Sequence, residues 1–141
     1  MSNKHHQLEE GLDLSLDFNK MEKVVKCGES LIPAVAQDVE SKEILILGYV
    51  NRLAFDHAIK NNIATFWSTS RNELWIKGAT SGDFLDLVET RVNCEQNSIL
   101  YLVSLRGKGA CHTKDSDGKS RLGCYYRKIV EENQLAFVEK A

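Results

Sequence analysis

The cysteines Cys94, Cys111 and Cys124, and the histidine His112 that follows the second of them, are the residues of this sequence best suited to chemistry. Three thiolates and a water form a zinc site of the catalytic type, in which one coordination position stays open. Zinc lowers the pKa of its bound water to about 7, and a neighbouring histidine can carry a proton. The spacing is not that of a CxxC pair, so burial of the thiols as small apolar side chains is the alternative. We interpret the fourth cysteine, Cys27, as structural.

A second group of polar residues lies upstream, in the stretches 66–71 and 74–82. Hydroxyl groups and cations are mixed there with glycines, which let backbone N–H groups approach an anion. This composition favours a cradle for a phosphate or ribose group, and an ordinary hairpin with a polar tip is the alternative. The candidate substrate-binding residues are Arg71, Trp75, Lys77, Thr80 and Ser81.

Length and composition limit the function classes. The chain has 141 residues, of which 43% are hydrophobic and 27% charged, as expected for one soluble domain. A formal charge of -2 argues against a general nucleic-acid binder. No apolar stretch approaches the roughly 20 residues that span a bilayer, so we expect no membrane contact. The charged N-terminus lacks the apolar middle of a secretory signal, and we expect a cytoplasmic protein.

The elements that must position these residues indicate a compact, strand-rich α+β domain. Polar residues 1–16 predict a loose N-terminal arm, and the domain itself is expected over residues 17–141. Helices are predicted near 17–26 and from the N-cap Asn51 to about residue 61. The second helix is expected to bury Leu53, Ala54, Ala58 and Ile59. Strands are expected near 34–39, 44–50, 63–68, 74–77, 84–94, 98–105, 125–130 and 135–138.

Several motifs, taken together and in order, resemble those of the phosphoribosyl-AMP cyclohydrolase family of histidine biosynthesis. The resemblance covers about residues 31–127. The matching segments are 31–34, 37–38, 45–51, 66–71, 74–75, 77–82, 110–113 and 124–127. The resemblance implies a homodimeric zinc enzyme that acts on a small nucleotide and hydrolyses the N1–C6 bond of the adenine ring in phosphoribosyl-AMP.

The resemblance also implies a role for each candidate residue. Zinc would be shared between subunits, with Cys94 from one chain and Cys111 and Cys124 from the other. His112 would move the proton during ring opening. The residues that would help to hold the nucleotide are Arg71, Lys77, Thr80 and Ser81.

One part of the family pattern is altered here. The family normally carries an aspartate–cysteine–aspartate–x–aspartate run that binds magnesium, and this chain has Asn93, Glu95 and Asn97 around Cys94. Magnesium is usually held through carboxylates, so we expect a degenerate, weakened magnesium site. Three interpretations stay open: a cyclohydrolase with altered metal use, a paralogue that opens the ring of a related nucleotide or heterocycle, and a non-catalytic zinc-binding protein.

Overall fold

The computed structural model describes residues 3–138, which form three helices and eight strands and confirm the predicted α+β class. Within those residues, no helix is both long enough and apolar enough to cross a membrane. The elements, in chain order, are α1 (Asn3–Glu10), α2 (Lys20–Val25), β1 (Ile32–Asp38), β2 (Ile44–Val50), α3 (Arg52–Asn61), β3 (Thr65–Ser68), β4 (Glu73–Ile76), β5 (Leu85–Val92), β6 (Ile99–Leu105), β7 (Arg127–Glu131) and β8 (Gln134–Phe137).

The largest sheet has the strand order β2-β1-β6-β5. The predicted hairpin of β1 and β2 is confirmed, and its turn is organised by Asp38, whose carboxylate accepts hydrogen bonds from the backbone N–H groups of Glu40 and Ser41. Strand β6 runs parallel to β1, and β5 runs antiparallel to β6. Strands β2 and β5 are therefore the two opposite edges of this sheet.

The core joins this sheet to the β3–β4 hairpin. Phe66 on β3 and Tyr101 on β6 are fully buried, and their rings meet edge to face with centroids 5.6 Å apart. The Tyr101 hydroxyl donates to the backbone carbonyl of Thr65 over 2.9 Å. Because a buried hydroxyl needs a partner, this bond fixes the hairpin against the sheet.

Helix α3 begins as predicted, since the side chain of Asn51 accepts from the backbone N–H of Ala54 over 2.9 Å. Ala54 and Ala58 are fully buried. The prediction that Leu53 and Ile59 also face the core is wrong, because their side chains are 59% and 45% exposed. The helix presents a narrow face of small residues inward, and a side chain about 100° around the helix from that face points away from the core.

The N-terminal segment differs from the predicted loose arm. Residues 3–10 form helix α1, and the C-terminal part of the chain holds the end of that helix. The Tyr126 hydroxyl donates to the carbonyl of Glu9 over 2.7 Å, and Arg127 donates to two further carbonyls nearby. Carbonyls at the C-terminus of a helix lack partners within the helix, and these side chains supply them. The single domain expected over residues 17–141 stays a prediction.

Candidate active site

Cys111 and Cys124 are brought together by a backbone hairpin, and we call them the thiol pair. The N–H of Cys111 donates to the carbonyl of Arg121 over 3.1 Å, so the chain turns back on itself between the two cysteines. The N–H of Cys124 then donates to the carbonyl of Leu45 over 2.7 Å, which attaches the thiol pair to strand β2. The loop between the cysteines, residues 112–123, therefore does not keep them apart.

The two thiols differ in environment. Cys111 is buried, and hydrogen bonds from Cys124 and then from Thr113 lower its pKa from the ordinary thiol range. The pKa of Cys124 is raised, because it donates its proton to Cys111 and because it is partly desolvated. The nearby positive charge of buried Lys77 acts in the opposite direction on Cys124. The pair is thus arranged as a thiolate beside a thiol, and a thiolate is the form that binds metal.

His112 lies on the exposed side of this hairpin, next to helix α1. Its Nε2 atom is 2.6 Å from Oε2 of Glu9. Sequence reasoning missed Glu9, because it lies outside every motif and 103 residues from its partner. The neighbouring Glu10 binds Arg121 through two hydrogen bonds of 2.8 and 2.9 Å, and Arg121 also donates to Thr113 over 3.1 Å. Side chains of α1 therefore reach the loop that carries the thiol pair.

An open cleft of about 360 Å³ lies beside the thiol pair, and we call it the aromatic cleft. Its wall includes Tyr125, the residue that follows Cys124, together with the hydroxyl residues 68–70 and Lys20 from helix α2. Of the predicted binding residues, Trp75 lies here. The aromatic side chains that line it are Tyr49, Trp67, Trp75 and Tyr125. Tyr49, Trp67 and Tyr125 each lie in a segment of the sequence that carries the family resemblance. The sequence therefore pointed to these positions, but it did not predict that their side chains line a cleft.

The remaining predicted binding residues do not form one cradle. Strands β3 and β4 are antiparallel, with Thr65 opposite Ile76. Arg71 lies in the turn that joins them, and the loop carrying Thr80 and Ser81 leaves the other end of the hairpin. Four residues of strand separate the two ends by about 13 Å.

The loop after β4 closes tightly on itself. The N–H of Gly82 donates to the carbonyl of Gly78 over 2.8 Å. Gly78 has φ +95°, and a Cβ atom there would lie 2.4 Å from the backbone nitrogen of Phe84. Glycine is therefore required at this position. The exposed hydroxyls of Thr80 and Ser81 are presented by this loop, whereas Lys77 just before it is buried.

Residues 93–97 form a turn after β5, and we call it the amide turn. The Asn93 side-chain oxygen accepts from the backbone N–H groups of Asn97 and Ser98 over 2.8 and 2.9 Å. Its amide nitrogen donates to the side-chain oxygen of Asn97 over 2.6 Å. Both amide oxygens are thus engaged by donors of the turn itself. A magnesium ion needs several unengaged, preferably anionic oxygens, so Asn93 and Asn97 are poor ligands for it.

The three predicted zinc ligands are not brought together within one chain. Cys94 follows the edge strand β5, and the thiol pair is attached to the opposite edge strand β2. Three inter-strand spacings separate these edges by about 14 Å, whereas sulfur atoms on one zinc ion lie only about 4 Å apart. Among residues 3–138, no group of three His, Cys, Asp or Glu side chains is close enough to hold a metal ion.

Comparison with known proteins identifies the family. The family model for phosphoribosyl-AMP cyclohydrolase matches residues 46–126, more than half of the chain. A phosphoribosyl-AMP cyclohydrolase of Chloroherpeton thalassium is 37% identical over 125 residues, which cover 88% of this chain and 81% of that protein. One of Hyphomonas neptunium is 43% identical over 111 residues, and these cover 79% of each chain. One of Archaeoglobus fulgidus is 42% identical over 101 residues, covering 72% of this chain and 87% of that one. The chain belongs to the phosphoribosyl-AMP cyclohydrolase family.

The predicted family and hydrolase class are thereby confirmed, and the roles of individual site residues stay predictions. The matched region of this cyclohydrolase family member contains the thiol pair, the amide turn and most of the aromatic cleft. Glu9, Glu10 and Lys20 lie outside it. Helices α1 and α2 therefore add side chains to the candidate site from beyond the part of the chain that the family model matches.

Proposed function

We propose that this chain hydrolyses the N1–C6 bond of the adenine ring in phosphoribosyl-AMP, the ring-opening step of histidine biosynthesis, as a zinc-dependent cytoplasmic homodimer. The observation that carries the proposal is that, in a member of this family, the residue next to the thiol pair lines the aromatic cleft. Tyr125 directly follows Cys124 and lines the cleft with Trp75. Aromatic side chains stack on purine rings, so a base held there would lie next to the thiols.

The three predicted cysteine ligands can bind one zinc ion if a second copy of the chain supplies the third cysteine. The thiol pair supplies two sulfur ligands, and the hydrogen bonds to Cys111 already favour its thiolate. Cys94 is exposed at the opposite edge of the sheet, where a partner subunit can be reached. When bound, zinc would act as a Lewis acid and lower the pKa of a coordinated water. The separation of Cys94 from the thiol pair within one chain supports the homodimer.

The chain's own residues would bind the ring and move the proton. The ribosyl group on N1 makes the ring cationic, so C6 is electrophilic. The oxygen of water bonds to C6 and the N1–C6 bond breaks. One proton of the water passes to N1, and the other is released to solvent as the cationic ring becomes a neutral, ring-opened carboxamide. His112, beside Cys111, would accept the proton that passes to N1 and return it. Stacking on Trp75 and Tyr125 would hold the base during this transfer.

Phosphoribosyl-AMP carries two phosphate groups, one at each end. The predicted phosphate-binding residues lie at two ends of the β3–β4 hairpin, with Arg71 at one end and Thr80 and Ser81 at the other. This separation supports a substrate with two distant anionic groups. A nucleotide with a single phosphate would use only one of them.

The amide turn bears on two questions, the use of magnesium and the identity of the substrate. Its oxygens are engaged internally, and we propose that magnesium binds there weakly and is not needed for turnover. A paralogue that opens the ring of a related nucleotide or heterocycle would carry the same thiol pair and cleft. The altered residues Asn93 and Asn97 are the observation that favours this second candidate.

An assay of the purified, zinc-loaded protein under reducing conditions tests the proposal. Ring opening of phosphoribosyl-AMP is followed by absorbance, with magnesium added and with magnesium chelated. We expect turnover in both conditions and none in the Cys124→Ala protein. Zinc-loaded wild-type protein that does not turn over phosphoribosyl-AMP would contradict the proposal and favour the paralogue.

A further inference from the structure

Helix α1 places one carboxylate against His112. Oε2 of Glu9 lies 2.6 Å from Nε2 of the imidazole. A carboxylate only accepts hydrogen bonds, so Nε2 must carry the hydrogen of this contact. In the neutral imidazole the other nitrogen, Nδ1, is then left without a hydrogen and can accept a proton. The contact therefore selects one tautomer as well as one ring orientation.

The His112 side chain is otherwise open to solvent. It is 74% exposed, so packing restrains its rotation little. The Glu9 side chain is only 26% exposed. A histidine in this setting depends on its hydrogen-bonding partner for orientation.

The end of α1 that carries Glu9 is firmly attached to the rest of the site. Glu10 makes two hydrogen bonds to Arg121, of 2.8 and 2.9 Å, and the Arg121 side chain is 12% exposed. The Tyr126 hydroxyl donates to the backbone carbonyl of Glu9 itself. Arg121 also donates to Thr113, whose hydroxyl lies 3.0 Å from Sγ of Cys111. One network thus fixes the Glu9 carboxylate relative to both the thiol pair and the loop that carries His112.

We propose that Glu9 is a positioning residue, which holds His112 in the tautomer and orientation that let Nδ1 exchange a proton with the reacting groups. This inference rests on the proposed function, because it assigns a role in that reaction. Glu9 acts through His112 and does not touch the substrate.

Steady-state kinetics of Glu9 variants of the zinc-loaded enzyme test the inference. Loss of such an orienting partner costs about 10- to 100-fold in activity, so we expect kcat of Glu9→Ala to fall by that factor. KM should stay within about two-fold, since no ground-state contact with substrate is lost. Glu9→Gln should retain most of kcat, because its amide oxygen still accepts from Nε2. His5→Gln is the matched control, because His5 lies on the same helix and contacts the same carboxylate oxygen at 3.4 Å. It should leave kcat unchanged.

A double-mutant cycle separates positioning from general support of the fold. In a His112→Ala background, Glu9→Ala should cause no further loss of kcat, because its partner is already absent. An equal loss in both backgrounds, or an unchanged kcat in the single Glu9→Ala protein, would overturn the inference.

An NMR measurement on the His112 imidazole separates the test of the Glu9 role from the test of the proposed function. Long-range proton–nitrogen NMR should show the Nε2–H tautomer of His112 in the wild type and a mixture in Glu9→Ala. Wild-type protein that is inactive on phosphoribosyl-AMP but shows this change would defeat the proposed function while supporting the positioning of His112. The same spectrum in both proteins would overturn the positioning role, whatever the activity.

Discussion

The thiol pair and the amide turn are the two parts of the molecule that contain the predicted metal ligands, and they are held in different ways. The thiol pair is restrained by distant segments: Glu10 of helix α1 binds Arg121 in the loop between the cysteines, and the backbone of strand β2 binds Cys124. The hydrogen bonds that hold the amide turn come from within residues 93–98. The first region leaves a thiolate ready for an external ligand, whereas the second satisfies its own polar groups. The amide turn therefore keeps its shape without a bound ion, because the Asn93 and Asn97 side chains supply its hydrogen bonds.

The two regions also lie at opposite edges of the four-stranded sheet. Cys94 belongs to the amide turn, so the predicted zinc set is divided between them. Neither region is a complete site in one chain. In the proposed shared zinc site, assembly of two copies, and not folding alone, would form the catalytic centre.

Removal of either member of the thiol pair should have the largest effect. Because zinc supplies several kcal/mol of transition-state stabilisation, Cys111→Ala and Cys124→Ala should each lower activity by at least about 1,000-fold. Zinc content should fall from about one ion per chain to nearly none. Elemental analysis together with the ring-opening assay measures both. Cys27→Ala is the control and should keep its zinc; full zinc occupancy in Cys124→Ala would remove that residue from the ligand set.

Subunit mixing tests whether the two regions complete one another across a dimer. Inactive Cys94→Ala and inactive Cys111→Ala proteins, mixed one to one and allowed to exchange subunits, should recover about one quarter of wild-type activity. Half of the dimers are then mixed, and one of their two sites has all its ligands. Cys111→Ala mixed with Cys124→Ala is the matched control and should recover nothing, since both changes fall in the same half-site. A zinc-containing monomer in sedimentation experiments would contradict the hypothesis of a zinc site shared between subunits.

Restoring the carboxylates of the amide turn should have a smaller effect, on stability. In the Asn93→Asp, Asn97→Asp protein, the 2.6 Å amide contact is replaced by two like charges. We expect a loss of about 1–2 kcal/mol in the free energy of unfolding without magnesium. Magnesium should reverse this loss, because it binds the folded form. Thermal unfolding with and without magnesium measures the effect.

Glu95→Gln, in the same turn, is the control for that experiment and should respond to magnesium no more than the wild type. Calorimetric titration of magnesium and turnover of phosphoribosyl-AMP complete the test. Tighter magnesium binding and faster turnover in the double variant would favour the cyclohydrolase with altered metal use. Tighter binding without faster turnover would move the assignment to the paralogue.

The smallest effect is expected at the ion pair that restrains the thiol-pair region. The hydrogen bond from Arg121, followed by its charge, lowers the pKa of Glu10 below the ordinary carboxyl range. A carboxyl group with a lowered folded-state pKa stabilises the fold above its unfolded pKa, and this contribution is lost as pH falls through the folded value. Glu10→Gln should therefore cost about 1 kcal/mol near neutral pH, and the difference from wild type should shrink as pH falls below the ordinary carboxyl range. Urea unfolding at a series of pH values measures this difference, with Glu132→Gln as a control variant at an exposed carboxyl group.

Local patterns in the sequence were sufficient for most of the secondary structure. The cap at Asn51 and the two apolar runs of β1 and β2, with a polar segment between them, act over a few neighbouring residues, so they predict a helix start and a hairpin. The exposed Leu53 and Ile59 mark the limit of such patterns. Helical spacing gives the apolar face, but the neighbours that pack on the helix decide how wide the buried face is.

The sequence by itself determined the family, the α+β class and the chemistry of the candidate residues, because these depend on residue types in a fixed order. Only the tertiary structure decided which candidates meet. It places Cys111 beside Cys124 and separates Cys94 from both. It also places Arg71 at the far end of a hairpin from Thr80 and Ser81, and Glu9 in hydrogen-bond contact with His112. Contacts between residues more than 100 positions apart depend on how sheets, hairpins and helices pack. No local spacing in the chain encodes that packing.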